Sequence, residues 1–234
     1  MFRLFTPIIA LFFFVSVKPL YCQDAQSNES EVKLNLSGEI LSSYIWRGQN
    51  NGHRPSIQPT AELSWKGFTA GVVGAFKLTG PGENEFDVYI SKEIGPFTIE
   101  LWDYWSFGNE VRAKFFDYNP STTNHMIEAQ LKYSAGEINK FNFMLSSIFF
   151  GMEGSESIYG EIEYVRSSRK NEYSVFTGYQ LNGNFYADKG VFVNAGVSYS
   201  RDLTLFQKYD FALVTSFINN PARKTSYVTL GIVL

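Results

Sequence analysis

The sequence predicts an all-β fold: a transmembrane antiparallel up-and-down β-barrel of about 12 strands. Three observations support this prediction. Apolar and polar residues alternate with a period of two from residue 32 onward, the connections between alternating segments are short and long in turn, and aromatic residues gather near segment ends. Together these features are typical of bacterial outer-membrane barrels.

The chain divides into three predicted segments. Residues 1–22 resemble a secretory signal peptide, because Arg3 supplies a positive charge and the apolar run 4–17 is too short to span a membrane as a helix. Residues 23–31 are a polar leader, and residues 32–234 form the barrel.

Cys22 marks the predicted processing site. Cleavage after Cys22 would leave Gln23 as the new N-terminus. Lipidation of Cys22 is the alternative, although Pro19-Leu20-Tyr21 makes a poor lipobox. Cys22 is the only cysteine, so a chain cleaved after it has no disulfide bond.

Composition excludes two classes of protein. Only 18% of residues are charged, the sequence pI is about 5.5, and no run of like charge occurs, which gives no electrostatic basis for binding nucleic acid. Mean hydropathy is −0.13, and no apolar run after residue 22 approaches the length of a spanning helix. The sequence is therefore not that of a helical membrane protein.

Twelve alternating segments define the predicted strands. They are 32–46, 56–66, 68–78, 86–92, 97–107, 125–133, 140–150, 157–166, 172–180, 191–200, 209–218 and 225–234. Because the number is even, both termini would lie on the periplasmic side. The even-numbered connections are mostly short, starting with Lys66-Gly67, whereas 79–85, 108–124 and 181–190 are long. The tenth connection, 201–208, is longer than a periplasmic turn should be.

Aromatic residues on the apolar face form two predicted girdles. The periplasmic group is Trp65, Phe68, Phe97, Tyr133, Phe141, Tyr164, Tyr173 and Tyr199, and the outer group is Tyr44, Trp46, Phe76, Phe86, Trp105, Phe107, Phe149, Tyr179, Phe217 and Tyr227. Membrane–water interfaces favour such girdles because these rings are mostly apolar with a polar tip. A soluble barrel or sandwich, the alternative, would pair aromatics without this segregation.

Two strands carry further signals. The last segment, 225–234, alternates to a terminal Leu234 and resembles the C-terminal recognition strand that the barrel-assembly machinery binds, with Leu in place of the usual Phe. In the segment 97–107, Asp103 falls on the apolar face while Trp102 points inward. A β-bulge would repair this pattern, and a buried or functional Asp103 is the alternative.

The face opposite the apolar one would line a lumen. Its candidate pore-lining residues are Glu39, Arg47, Glu62, Lys77, Asp87, Glu100, Trp102, Tyr104, Glu128, Lys132, Glu161 and Glu163. Acidic residues outnumber basic ones, which would favour cations modestly. Alternatively, these charges pair in a plugged interior. Twelve strands lie between filled and channel-forming sizes, and Trp102, Tyr104, Phe176 and Phe192 could occupy much of the bore.

No catalytic or metal-binding pattern is present in the sequence. His53 and His125 are the only histidines, and neither lies beside a nucleophile or in a ligand spacing. We therefore expect no enzymatic activity and no cofactor.

The first hairpin resembles that of a known family. Ser43-Tyr44-x-x-Arg47-Gly48, then Pro55-x-x-Gln58 and Gly67-Phe68-x-Ala70-Gly71, is similar to the TorF family of small outer-membrane porins, over about residues 40–76. The third strand departs from that pattern, because Lys77 replaces the usual acidic ending. The resemblance implies an outer-membrane barrel and passive diffusion through it.

These observations predict a porin-like channel in the bacterial outer membrane, surrounded by outer-membrane lipid, that passes small hydrophilic solutes. A closed barrel that binds a partner or ligand at the cell surface through residues 108–124 is the first alternative, and an outer-membrane lipid-modifying enzyme is the second. In this interpretation Tyr44 and Trp46 belong to the outer girdle. Arg47 points into the barrel mouth, where it would pair with an acidic lumen residue or meet solute.

Overall fold

The protein is a closed antiparallel barrel in a computed structural model that describes residues 31–51, 54–80, 82–108, 114–151 and 156–234. The predicted signal peptide, nearly all of the polar leader and His53 lie outside these residues. No helix in the described ranges is long and apolar enough to cross a membrane.

Twelve strands form the wall, and two short strands form a separate hairpin. The wall strands are β1 (Lys33–Leu41), β4 (Ser56–Trp65), β5 (Phe68–Lys77), β6 (Asn84–Ile94), β7 (Phe97–Phe107), β8 (His125–Ala135), β9 (Asn139–Phe150), β10 (Ser157–Ser168), β11 (Asn171–Asn182), β12 (Val191–Leu205), β13 (Tyr209–Asn220) and β14 (Thr225–Val233). The hairpin consists of β2 (Ile45–Trp46) and β3 (Gln49–Asn50). Sequential wall strands pair in order, and β1 closes the barrel against β14.

The structure confirms the predicted all-β, antiparallel up-and-down barrel of twelve strands, with two corrections at strand ends. The first segment was predicted to continue to residue 46, but β1 ends at Leu41 and the chain then leaves the wall. The predicted long tenth connection, 201–208, is also wrong. Residues 201–205 continue β12 and pair with β13, so the turn is only Phe206–Lys208.

The pleat of the strands places apolar residues on the outer surface of the wall. Exposed examples from the wall strands are Leu34, Leu36, Leu63, Ile90, Ile99, Leu131, Leu145, Ile162, Val175, Val197, Leu213 and Leu230. Successive side chains of a strand point to opposite faces, so the polar partners of this alternation face the lumen. The molecule is therefore apolar outside and polar inside.

The two ends of the barrel differ in their connections. At the end where β1 begins, called the turn end, the strands are joined by short turns such as Lys66-Gly67 and Gly95-Pro96. At the opposite end, called the loop end, lie the β2–β3 hairpin and the connections 108–124 and 183–190. This asymmetry matches the predicted alternation of connection lengths.

A β-bulge in β12 moves one predicted bore residue to the outer surface. Tyr179 pairs with Phe192 and Gly178 with Asn194, which leaves Val193 as an extra residue between them. Phe192 is consequently half-exposed and packs its ring against Tyr179. The expectation that Phe192 helps to fill the bore is wrong.

Asp103 stays on the outer face without a bulge. The register of β7 with both neighbours is continuous on either side of Asp103, so the predicted bulge is wrong. Instead, the connection before β8 folds over the outer wall and supplies partners. Tyr118 donates a 2.7 Å hydrogen bond to Asp103 Oδ2, and His125 Nδ1 lies 2.7 Å from Asp103 Oδ1.

The same contacts anchor this connection, and they bury His125. Its Nε2 lies 2.5 Å from the Phe115 carbonyl oxygen, and its ring stacks on Tyr118 at 4.2 Å. Burial and the hydrogen bond to Asp103 raise the pKa of Tyr118 to about 12, which keeps its hydroxyl a donor. Both ring nitrogens of His125 are thus occupied within the fold.

Candidate functional site: a hairpin folded into the lumen

The hairpin that follows β1 turns inward because its two turn residues adopt left-handed backbone angles. Ile45 pairs with Asn50 and Trp46 with Gln49, so Arg47-Gly48 is a two-residue turn. Arg47 has φ of 48° and Gly48 has φ of 75°, as tight hairpin turns require at both central positions. The turn therefore places the Arg47 side chain at the tip of the hairpin.

Arg47 forms a buried ion pair with Glu128 on the opposite wall. Its Nη1 and Nη2 lie 2.5 and 3.0 Å from the two oxygens of Glu128. Arg47 is 9% exposed and Glu128 is 0% exposed. Two parallel bonds of this kind fix the guanidinium in both distance and orientation. The hairpin tip is therefore anchored to β8.

Aromatic rings surround the Arg47 guanidinium. Its central carbon lies 4.6 Å from the Trp46 ring and 4.7 Å from the Tyr159 ring. Tyr186 lies with its hydroxyl 2.5 Å from Arg47 Nη1. Cation–π attraction is stronger where water is excluded, so these rings stabilise the buried charge together with Glu128.

Gly48 lies against the barrel wall too closely for any other residue. A Cβ built at Gly48 would lie 2.1 Å from the carbonyl oxygen of Val193, which is main chain and part of β12. Asn220, fully buried on β13, donates a 3.0 Å hydrogen bond to the Gly48 carbonyl. The hairpin thus contacts the wall at β12 and β13 as well as at β8.

Tyr44 and Trp46 are inside the barrel, so their predicted place in the outer girdle is wrong. Trp46 packs in the lumen against Tyr104, Phe185 and Tyr186, with ring centroids 5.6, 5.9 and 5.8 Å away. Burial raises the pKa of Tyr44, and the nearby carboxylate of Glu85 raises it further. Both rings lie inside because the chain leaves the wall after β1 and the hairpin carries Tyr44 and Trp46 into the lumen.

The connection 183–190 also enters the lumen, and Gln180 holds it there. Gln180 Oε1 accepts bonds from the backbone N–H groups of Tyr186 and Ala187, at 2.8 and 3.1 Å. Its Nε2 lies 2.9 Å from the Gly183 carbonyl oxygen and 3.1 Å from that of Lys189. One fully buried amide side chain therefore satisfies much of the connection's backbone.

Replacing Gln180 by leucine should release this connection. The buried backbone groups it satisfies would lose their partners, at a cost of roughly 2–4 kcal/mol in unfolding free energy. We expect trypsin to cleave after Lys189 faster than in the wild type. The matched control is Gln58→Leu, because Gln58 donates one bond to Ser56 within β4. Equal cleavage of the two variants would contradict this role.

The hairpin divides the lumen into two cavities. The upper cavity, toward the loop end, has a volume of about 780 Å³ and is lined by Lys77, Glu85, Ser106 and Phe185 among others. The lower cavity has a volume of about 450 Å³. Tyr44, Trp46 and Tyr104 line both. These rings lie between the two cavities.

The structure brings most of the predicted lumen residues together around the lower cavity. Those that line it are Arg47, Asp87, Trp102, Tyr104, Lys132, Glu161 and Glu163. Glu100 accepts a 2.8 Å bond from Lys132, and Glu128 binds Arg47. These ion pairs join Glu100 and Glu128 to residues that line the lower cavity.

Three predicted residues lie apart from this group. Lys77 lines the upper cavity. Glu62 accepts hydrogen bonds from Tyr89 and, at 2.9 Å, from Asn35. Glu39 lies on β1 between Val233 and Gln58 in the register. These three contact neither the hairpin tip nor the lower cavity.

Sequence reasoning missed the residues that hold the hairpin in place. Gln180, Asn220 and Tyr186 are polar residues in or beside strands, and alternation alone does not distinguish them from other lumen residues. Arg47-Gly48 was the available signal, because glycine at the second position of a two-residue turn favours a hairpin. This signal indicates that the opening strand does not continue through Arg47-Gly48.

Comparison of the chain with protein-family models and with curated proteins finds no match. The fold and the site together define a class: a closed 12-stranded antiparallel barrel whose lumen holds an inward-folded hairpin.

Proposed function

We propose that the protein is an outer-membrane channel for small hydrophilic solutes whose lumen is held shut by the β2–β3 hairpin. The observation that carries this proposal is the buried Arg47–Glu128 ion pair at the hairpin tip. It closes a lumen that otherwise contains two solute-sized cavities. Displacement of the hairpin, which this ion pair anchors to β8, would join the cavities into a path along the barrel axis.

A location in the outer membrane is supported by the outer surface of the wall. Leucine, isoleucine and valine side chains are exposed around the barrel, which is costly in water and favourable in lipid. Trp65, Phe68, Phe97, Phe141 and Tyr173 are exposed near the turn end, where a membrane–water interface favours aromatic rings. The turn end would then face the periplasm.

Planar-bilayer recording tests the channel. The wild type should give rare, brief current steps, because the hairpin occupies the lumen. A variant in which a Gly-Ser linker replaces residues 44–51 should give larger and longer steps. Absence of steps from both proteins would contradict the channel and favour a closed barrel.

The acidic lumen should make the open channel prefer cations. Glu62→Gln removes a wall charge that no described cation neutralises. We expect about a twofold fall in the cation-to-anion permeability ratio, because only one charge is removed and water partly screens its effect. The reversal potential in a salt gradient measures this ratio. Glu137→Gln, in the exposed turn after β8, is the control. An equal shift of the reversal potential in both variants would contradict the proposal that Glu62 in the lumen favours cations.

Binding at the cell surface through residues 108–124 is the second candidate function. The described part of this connection is anchored through Asp103 and His125, yet Phe116 is 87% exposed. Exposed aromatic rings on a fixed loop suit recognition of a partner. Loss of binding to cell-surface material in Phe116→Ser, with conductance unchanged, would favour this function. Neither proposal includes enzymatic activity.

A further inference from the structure

We propose that the lower cavity binds a small aliphatic diamine, with one ammonium group held by β10 and β12 and the other by β6. The cavity's volume of about 450 Å³ lies within the range of small-molecule sites. The inference concerns binding, so it does not depend on whether the lumen conducts.

Asn194 provides an acceptor that has no partner within the protein. Asn194 lines the cavity and is only 6% exposed. Its Nδ2 donates to Glu161 Oε2 at 2.9 Å and to the Tyr159 hydroxyl at 3.3 Å, but its Oδ1 has no hydrogen bond in the part of the chain described. Buried acceptors are normally satisfied, so this oxygen indicates a missing donor.

Two carboxylates of β10 that line the same cavity, Glu161 and Glu163, also lack a cation. Glu161 Oε2 accepts from Tyr159 and Asn194, and Glu163 Oε2 accepts from Asn142 at 2.9 Å. These partners are neutral, and neither glutamate forms an ion pair among the described residues. An ammonium group would bring both a charge and the N–H donor that Asn194 requires.

The basic residues that line the cavity are already paired. Arg47 binds Glu128, and Lys132 binds Glu100 at 2.8 Å. The carboxylates of Glu161 and Glu163 therefore leave the β10 wall acidic. This charge favours a cationic ligand and disfavours an anionic one.

Asp87 supplies a second acceptor on another wall. It lies on β6, is 3% exposed, and lines the same cavity. Its Oδ1 accepts a 3.3 Å bond from the Trp105 backbone N–H, and no cation pairs with it among the residues described. Since β7, β8 and β9 separate β6 from β10, the acceptors approach the cavity from two sides.

Apolar side chains line the space between these acceptors. Trp102, Phe176, Val73 and Ile218 all border the cavity. Methylene groups suit such a lining, and aromatic faces attract the ammonium groups at either end. Acceptors on two walls with apolar side chains between them therefore fit two ammonium groups joined by an aliphatic chain better than a sugar or a metal ion. No described group of three or more acidic, histidine or cysteine side chains is arranged to hold a metal.

Calorimetric titration of the protein in detergent tests the ligand class. The probes are 1,4-diaminobutane, 1-aminobutane and succinate, which share four carbons and differ in charge. We expect the diamine to bind at least tenfold more tightly than the monoamine, and succinate not to bind. Equal affinity of the two amines, or binding of succinate, would overturn the proposal.

Variants locate the two ends of the diamine. Asp87→Asn should reduce the affinity for the diamine to that for the monoamine and leave monoamine binding unchanged. Glu161→Gln should weaken both amines about tenfold, as expected for loss of a charge-assisted bond. Glu137→Gln, in the exposed turn, should change the affinity for neither amine. A shift in electrophoretic mobility on heating shows for each variant that the barrel is folded. Equal weakening of both amines by Asp87→Asn would overturn the two-ended arrangement.

Discussion

Replacement of Arg47 by methionine should open the lumen and destabilise the barrel. In planar bilayers this variant should show current steps that are larger and longer-lived than those of the wild type. Its unfolding free energy should fall by about 3–5 kcal/mol, because Glu128 would be left charged and unpaired in a fully buried position. Bilayer recording and urea unfolding measure the two effects separately.

A second substitution separates the gate from the loss of stability. In Arg47→Met/Glu128→Gln the unpaired buried charge is gone, so most of the lost stability should return. The hairpin tip would still lack its ion pair with β8, and the channel should stay open. If conductance instead returned to the wild-type level along with stability, the ion pair would not be the gate.

Arg166→Met is the matched control for this experiment. Arg166 lies on β10 near the turn end and is exposed, and it forms no ion pair within the described ranges. The same change of residue type should therefore alter the unfolding free energy by less than about 1 kcal/mol. Its conductance should equal that of the wild type.

The wall of this barrel could be predicted from the sequence because apolar outward-facing and polar lumen-facing positions alternate along most of each strand. Each of the long wall strands contains a run of that alternation, and each turn at the turn end interrupts it. Period-two patterning reports which residues share a face. It does not report whether a strand stays in the wall.

That limit explains the error at the opening hairpin. Tyr44 and Trp46 continue the parity of Leu36 and Ile40, so the pattern alone extends β1 to residue 46. The structure ends β1 at Leu41, and the same rings then pack inside the lumen. Their burial depends on Tyr104 and Tyr186, which are distant in sequence and contribute no local signal.

Parity also fails where a strand gains a residue. The bulge at Val193 reverses the faces of the residues before it, so Phe192 points outward. At Asp103 the alternation holds without a bulge. This polar side chain does lie on the apolar face, and Tyr118 donates a hydrogen bond to it. Neither outcome follows from the composition of one strand, since each depends on a neighbouring strand or connection.

Replacement of Gly48 by alanine should dislodge the hairpin even though Arg47 and Glu128 are unchanged. The added Cβ would lie 2.1 Å from the Val193 carbonyl oxygen, which is main chain and lies between the paired residues Phe192 and Asn194 of β12. We expect the hairpin to leave its position, the ion pair to break, and the unfolding free energy to fall by at least about 3 kcal/mol. Current steps should resemble those of Arg47→Met.

Gly95→Ala isolates the close approach from backbone strain. Gly95 also has a positive φ, of 59°, in the turn after β6, but nothing lies within 4 Å of a Cβ built there. It should therefore show only the cost of a left-handed alanine, about 1–2 kcal/mol, with conductance unchanged. If the two alanine variants lost equal stability and neither opened the channel, contact of the turn with β12 would not position the hairpin. A larger loss and open lumen in Gly48→Ala alone would show that the wall at Val193 and the pair at Glu128 hold the same element, because either change would then release it.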